Sequence, residues 1–404
     1  MMAGRIAVLG AGLMGCCLAL ALARRGLQVV VFERREAAML EASLHSEGKL
    51  HLGFVYAADP SLRTAALMQR GAACFAAILE RWLGAGVLDP LQSEPFVYAV
   101  HRDSQLSVPS IEAHFARVQA LWTGPPEQAA WRRLSPGELE ASFDPGLVRA
   151  AYRTGERAVD TGRVAELLRD ALRADPRVEL RTGFDVAAVA GTAGAFRVHG
   201  TVQGAACRDG PFAQIVNCLW ANRPAVDVAS GLEARPAAMI RHKVGLFLQA
   251  EAGADRGAPS TTFVLGPFGD IVAWPCGRLY LAWYPAGMVG VARQVARTDW
   301  RAVRAGLDAP AIAAATIAAL ARLCPRLAAV VAGARPVVDG GAIYALGATD
   351  IDDPRSRLHQ RSEVGLVAAQ DGYHSVDTGK YTLAPLLAED LATRIAAGAG
   401  TARP

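Results

Sequence analysis

The stretch that most constrains this chain is Gly10-Ala11-Gly12-Leu13-Met14-Gly15, taken with what flanks it. Arg5-Ile6-Ala7-Val8-Leu9 before it is short, aliphatic and β-branched, which predicts a buried parallel strand. Cys16 to Arg25 after it is rich in Ala and Leu and reads as a helix that Gly26 stops. Val29-Val30-Val31-Phe32 then reads as a second strand, with Glu33 at its end. Strand, glycine turn, helix, strand and acid follow in the order of a dinucleotide-binding βαβ unit. Gly10 permits the tight turn, Gly12 lets the backbone approach a pyrophosphate, and Gly15 lets helix and strand pack closely. Ala11 and Met14 belong to the same turn and are assigned to the cofactor site with it. The helix N-terminus offers N–H groups and a positive dipole end, and Glu33 is placed to accept hydrogen bonds from an adenosine ribose. Arg34, next in line, either reaches the cofactor phosphates or is solvated.

At 404 residues the chain is long for one core, so two intimately joined domains are expected. Its composition, 52% hydrophobic and 20% charged, is that of an ordered globular protein. A formal net charge of +4 is too small at this size to point to nucleic acid. The seven cysteines show no CxxC spacing, and their odd number suits reduced thiols in a cytoplasmic protein. Cys16 and Cys17, on the first helix, read as small packing residues. The apolar run after Arg5 superficially looks like a signal peptide, but three glycines interrupt it and a strand follows in register. No later stretch is long and apolar enough for a membrane span. Asp350-Ile351-Asp352-Asp353 lacks the loop length and terminal Glu of an EF-hand, so it reads as a solvated turn, and no metal site is expected.

After Glu33 a nicotinamide dehydrogenase would continue with a plain helix and third strand. Here instead runs a polar, Gly-punctuated segment, Glu41-Ala42-Ser43-Leu44-His45-Ser46-Glu47-Gly48-Lys49-Leu50-His51-Leu52-Gly53-Phe54-Val55-Tyr56. The βαβ unit followed by Ser43-x-His45-Ser46-x-Gly48-Lys49-Leu50-His51-x-Gly53 resembles the D-amino-acid oxidase superfamily of FAD-dependent oxidoreductases. Within it, residues 45–56 and Pro60-Ser61-Leu62-Arg63 are similar to the L-2-hydroxyglutarate dehydrogenase branch, with its H-N-S-G-V-I-H-x-G-I-Y-Y stretch and P-x-S-L-K element. The resemblance implies that this segment passes beside the flavin, that His45, Ser46, Gly48 and Lys49 belong to the cofactor pocket, and that His51 is the catalytic base. Glu47 and Lys49 replace small or apolar family residues, which points to a different substrate.

Further on, residues 60–90 and 109–122 read as helices and 96–100 as a strand. A helix capped by Asp160 or Thr161 follows, then strands at 177–181, 183–189, 196–198 and 215–217. The resemblance places Val186 at the adenine and Asn217 to Asn222 below the cofactor, with Asn222 in the site. From about Ala234, strands at 240–248, 262–265, 271–274 and 279–284 separated by Gly and Pro turns predict an antiparallel sheet, which in the resembling family is the substrate domain. Arg241, with directional donors suited to a carboxylate, is the expected substrate anchor. Tyr284 is a candidate for the pocket wall. Residues 298–332 read as Ala-rich helix.

Near the C-terminus, Asp371 to Thr382 leads into a helix, and the resemblance places Gly379, Lys380, Tyr381 and Thr382 at the N1–C2=O edge of the flavin. Hydride transfer leaves negative charge there, which a helix N-terminus and Lys380 would stabilise. The expected fold is α/β: a Rossmann-like FAD-binding domain (1–60, 150–233 and 335–404) joined to an α+β substrate or cap domain with a mostly antiparallel sheet (61–149 and 234–334). The expected function is FAD-dependent oxidation of a C–N or C–OH bond in a small, carboxylate-bearing amino acid, amine or 2-hydroxy acid. His51 would be the base, Lys380 the stabiliser and Arg241 the anchor. A flavoenzyme for a sugar or natural-product intermediate is the nearest rival, followed by an NAD-dependent dehydrogenase and a non-catalytic nucleotide-binding module. The residues leave the electron acceptor open.

Overall fold

The computed structural model describes residues 4–233, 238–250, 258–293 and 296–401. The change of pattern expected at residue 234 lies outside the described residues. Ile6–Leu9 is a central strand of a six-stranded sheet, with Val29–Phe32 on one side and Gln214–Asn217 on the other. Val178–Arg181 and Tyr373–Asp377 extend the two sides, all parallel, and Gly365–Gln370 closes one edge antiparallel. Parallel pairing collects the carboxyl ends of these strands, at Leu9, Phe32 and Asn217, along one edge, where an open α/β sheet binds its ligand.

The helix Leu13–Ala23 has no exposed face, since all 11 of its residues are buried. Ile6, Val8, Val29 and Val31 lie in the same cluster, as do residues of the helices Thr161–Ala174 and Ala384–Thr401. A helix enclosed on all sides needs no polar stripe, which is why this stretch is almost entirely Ala, Leu and Cys. Cys16 and Cys17 pack there as free thiols. The opposite strand face, Ala7, Leu9, Val30 and Phe32, packs on a three-stranded antiparallel sheet made of Phe184–Ala190, Phe196–Val202 and Ala205–Phe212. Phe32 meets Phe184 and Phe212 edge-on, with centroids 4.8 and 5.7 Å apart.

A second, nine-stranded sheet carries Trp131–Arg133, Val148–Thr154, Val97–His101, Thr261–Val264, Gly269–Ala273, Arg278–Trp283, Ala238–Gln249, Met288–Ala292 and Val337–Leu346. Every pairing in it is antiparallel except that of Thr261–Val264 with Val97–His101. Leu320 and Leu323 of the helix Ala309–Leu323 pack with Leu246, Leu279 and Leu281 of this sheet. Tyr98, Tyr152 and Tyr280 belong to a separate cluster with Phe54 and Phe115.

The expected domain limits need correction at three places. Val148–Thr154 pairs with Val97–His101, so the second sheet extends past residue 150. Val337–Leu346 pairs along its whole length with Ala238–Gln249, so the return to the first domain comes after residue 346 rather than at 335. The helix Arg63–Leu83, expected in the cap, puts Phe75 and Leu79 into the cluster around Leu13–Ala23. Strand alternation does not encode which sheet a strand joins, and a buried helical stripe does not name its partner.

A Cβ on Gly15 would stand 1.9 Å from the Gly10 carbonyl oxygen. Gly15→Ala is therefore expected to destabilise the fold by about 1–3 kcal/mol, the usual cost of forced overpacking, and to lower retained FAD. Urea unfolding and the flavin-to-protein absorbance ratio check both.

Candidate active site

A cavity of about 380 Å³ runs from the glycine turn, lined by Gly10, Ala11, Gly12, Leu13 and Met14, to Lys380 and Tyr381. At its first end Gly10 has φ +95°, a conformation open to glycine, and the Leu13 N–H donates to Ser43 Oγ at 3.0 Å. The Glu33 carboxylate is fixed by two backbone donors, Ala11 N–H at 2.9 Å and Arg35 N–H at 2.8 Å. Burial pushes its pKa up against these donors. Phe184 and Val186 line the adjoining wall. Gly15 does not line the cavity; it sets the helix against the strand.

Arg34 and Asn222 also line this end, and both are held by the backbone of Thr298. Arg34 is not solvated: it forks onto Glu41 and donates through Nη1 to the Thr298 carbonyl at 3.1 Å, so its charge is already matched. Asn222 closes the wall, its Oδ1 accepting from the Thr298 N–H at 2.7 Å and its Nδ2 donating to the Thr298 carbonyl at 3.3 Å.

The other end is built from residues 45–51 and 378–382. Lys49–Leu50 pairs with Arg157–Ala158, which holds the segment extended. His45, Ser46, Glu47, Lys49 and His51 all face the cavity. His45 lies edge-on to Phe247 with Nε2 3.6 Å from Asp339, and burial lowers its pKa. Gly48 and Thr382 do not themselves line the cavity. Gly48 has φ +64° and a Cβ there would meet the Val159 carbonyl at 2.2 Å, so it serves chain packing. Thr382 Oγ1 accepts from the His51 N–H at 2.9 Å and donates to the Lys49 carbonyl at 3.1 Å, tying the two segments together. Gly379 and Lys380 line the cavity beside them; the Tyr381 ring packs on Phe75 at 6.0 Å.

The charges at this end fall into closed sets and open ones. Lys49, 2% exposed, donates to Thr262 Oγ1, stands 3.5 Å from Asp270 and 3.8 Å from Glu156, and lies over the Phe96 ring at 4.1 Å. It is a satisfied buried cation. Arg241 is likewise closed: Nε donates to Asp350 at 3.0 Å, Nη2 donates to the Tyr284 hydroxyl, and that hydroxyl donates back to Asp350. The expected anchor is therefore already paired, and Asp350 is no solvated turn residue but its counter-ion. Arg361 lines the same region, and no described carboxylate lies within ion-pair distance of it. Its pKa is lowered by burial and by the neighbouring charge of Arg241.

Glu47 would be raised by burial, but the charges of Lys380, Lys243 and His51 outweigh this and hold it at about 2. Lys380 is lowered by burial and by Arg361, Lys243 and Lys49 to about 8, with Glu47 opposing the shift. His51, buried and close to Lys380, has its pKa lowered; Glu156 opposes this. His51 is thus held neutral near pH 7, as a proton acceptor must be.

The sequence matches the DAO family of FAD dependent oxidoreductases over residues 5–394. The chain is a member of this family. FAD is its cofactor, and its activity is that of an FAD-dependent oxidoreductase. Among solved structures it is similar to glycine oxidase from Geobacillus kaustophilus (18% identity, TM-score 0.67, 97% of this chain and 95% of that one). It is also similar to dithionite-reduced L-alpha-glycerophosphate oxidase from Mycoplasma pneumoniae with FAD bound (13%, 0.67, 98% and 95%) and to L-proline dehydrogenase from P. horikoshii (13%, 0.64, 98% and 94%). At these identities the likeness is one of fold. No curated protein matches the sequence. No helix among the described residues is long and apolar enough to cross a membrane.

The residues present fit FAD. Gly10, Gly12 and the start of the helix would hold the pyrophosphate, Glu33 the ribose and Val186 the adenine. Ser46 Oγ, His45 Nδ1 and the Tyr381 hydroxyl are buried without hydrogen-bond partners among the described residues, as donors and acceptors awaiting a polar ligand would be. Sequence reading missed Glu156 and Arg361. Neither sits in a motif or on a periodic face, and Arg361 follows a loop whose acids suggested solvent.

Glu47 keeps Lys380 charged, which gives a signed pH dependence. With benzoate as a carboxylate probe of the FAD-loaded protein, affinity read from the flavin spectrum is expected to weaken as pH rises through about 8, where Lys380 loses its proton. Lys380→Met should lack that limb, and Glu47→Gln should move it to lower pH.

Proposed function

We propose that this flavoenzyme oxidises the C–N or C–OH bond of a small carboxylate-bearing molecule, an amino acid, amine or 2-hydroxy acid. The observation that carries this reading is one cavity in which the dinucleotide cradle continues into a buried set of a neutral imidazole, His51, and open cations, Arg361 and Lys380. FAD, when bound, supplies the acceptor for the hydride that leaves the substrate carbon. Arg361 is the anchor: a guanidinium grips a carboxylate through two parallel N–H donors, and this one has no competing carboxylate at ion-pair distance among the described residues. Lys380 adds positive charge where negative charge develops.

His51 takes the proton from the substrate nitrogen or oxygen. Glu47, a carboxylate on the cavity wall, favours a substrate whose reacting group carries a positive charge, and so an amine over an alcohol. Tyr56, Val264, Leu265 and Tyr280 complete the walls and keep water from the reacting atoms. Arg241, Tyr284 and Asp350 shape the pocket as a neutral unit. The amino-acid and amine substrates in the names of glycine oxidase, iminodiacetate oxidase and L-proline dehydrogenase support the same reading.

An anaerobic screen for flavin bleaching tests it. Bleaching is expected with at least one amino acid or 2-hydroxy acid; bleaching only by amino sugars without a carboxylate would overturn the assignment. With the substrate in hand, Arg361→Met is expected to raise KM about 10- to 100-fold, the loss of a charged hydrogen-bonded contact, with a much smaller change in kcat.

A further inference from the structure

The mechanism above uses His51 but not the carboxylate behind it. Glu156 is 0% exposed and lies in the turn between Val148–Thr154 and the short strand Arg157–Ala158. The two-residue ladder pairs Lys49 with Ala158 and Leu50 with Arg157, so one step further along that register Glu156 stands opposite His51. Its Oε2 accepts from the Leu52 N–H at 2.7 Å, and its Oε1 accepts from the Tyr98 hydroxyl and lies 3.5 Å from His51 Nδ1. Lys49 Nζ is 3.8 Å from the same oxygen. Burial would raise the Glu156 pKa, but His51, Lys49 and the Tyr98 hydroxyl hold it below the ordinary value, so the group is a carboxylate. A buried charge with this many partners is costly to build and strongly destabilising to break singly. Leu52 and Tyr98 both belong to the apolar cluster under the second sheet, so the carboxylate is anchored on that side of the cavity.

Resting on the reading of His51 as the base, we propose that Glu156 is the positioning residue of the reaction. It turns Nδ1–H of His51 inward, presents Nε2 to the substrate and balances the charge the ring gains on taking a proton. In that step the substrate N–H or O–H bond breaks, the proton joins Nε2, and the bonding pair stays on the substrate heteroatom. The other groups facing the ring are Lys380 from the C-terminal turn, Glu47 and Lys49 from its own segment, and Tyr56, whose ring lies 5.8 Å away. Lys380 and Lys49 disfavour the imidazolium, which leaves Glu156 and Glu47 as the groups that favour it.

The test uses FAD-loaded protein with two readouts: the pH profile of single-turnover flavin reduction by the substrate found above, and the His51 imidazole titration by NMR, assigned by its loss in His51→Asn. Removing the negative charge in Glu156→Gln disfavours imidazolium, so the His51 titration and the acid limb of the profile are expected to move to lower pH. The plateau rate should fall about 10-fold or more while FAD stays bound. Tyr98→Phe removes a donor from Glu156, concentrates its charge and is expected to move both in the opposite direction. A loss of packing alone would not produce opposite signs.

An unchanged His51 titration in Glu156→Gln, or shifts of the same sign in both variants, overturns the proposal. If Glu156→Gln does not fold, the sign of the Tyr98→Phe shift decides. Undiminished reduction by His51→Asn would overturn the base reading itself, whereas a dead His51→Asn beside a silent Glu156→Gln overturns only the role of Glu156.

Discussion

In the first domain the buried helix Leu13–Ala23 packs against the turn that precedes it, where Gly15 faces the Gly10 carbonyl with no room for a side chain. From this contact follows the position of the helix N-terminus, held at the carboxyl edge of the sheet where Gly12, Leu13 and Met14 line the cavity. The turn itself depends on the positive φ of Gly10, and the carboxylate of Glu33 is locked onto it through the Ala11 N–H. The enclosed helix is in turn the surface against which Arg63–Leu83, Thr161–Ala174 and Ala384–Thr401 assemble. The last of these helices begins just after Lys380, so the packing that secures the cradle also places the residue at the cavity's far end.

At that far end the organising physics is charge compensation in a poorly solvated space. Lys49 is matched by Asp270 and Glu156, and Arg241 by Asp350 with the Tyr284 hydroxyl between them. These sets are complete, and completed ion pairs have little left to offer a ligand. Arg361, Lys380 and Lys243 line the cavity without an ion pair among the described residues, and the charges of Arg361 and Lys243 contribute to lowering the pKa of Lys380. In the function proposed here, that uncompensated charge acts beside a neutral imidazole.

Local patterns carried much of the fold. The βαβ unit was legible because its steric requirements are met by consecutive residues, Gly10 to Gly15, and the acid that ends its second strand, Glu33, stands at a set distance in the chain. The antiparallel sheet was legible from alternation and turn spacing. Sheet membership was not: Val337–Leu346 and Val148–Thr154 look like any buried strands, and only their pairing assigns them to the second sheet. Gly48 illustrates the same limit within a motif. Its neighbours face the cavity, yet its own role is to clear the Val159 carbonyl, which lies more than a hundred residues away in sequence.

The sequence by itself determined that the chain binds a dinucleotide and, through the resemblance of residues 43–56 and 372–382 to a known family, that this is FAD. The dinucleotide turn depends on backbone geometry within one short segment. The tertiary structure decided which ionisable groups are already paired. Arg241 has the right chemistry for an anchor, but a carboxylate from residue 350 and a hydroxyl from residue 284 reach it first. The positions that suit Glu156 and Arg361 to their proposed roles come from a two-residue ladder and a loop that bring them to the cavity wall or just behind it. A side chain's charge is written in the sequence, but whether that charge is already satisfied depends on its neighbours in space.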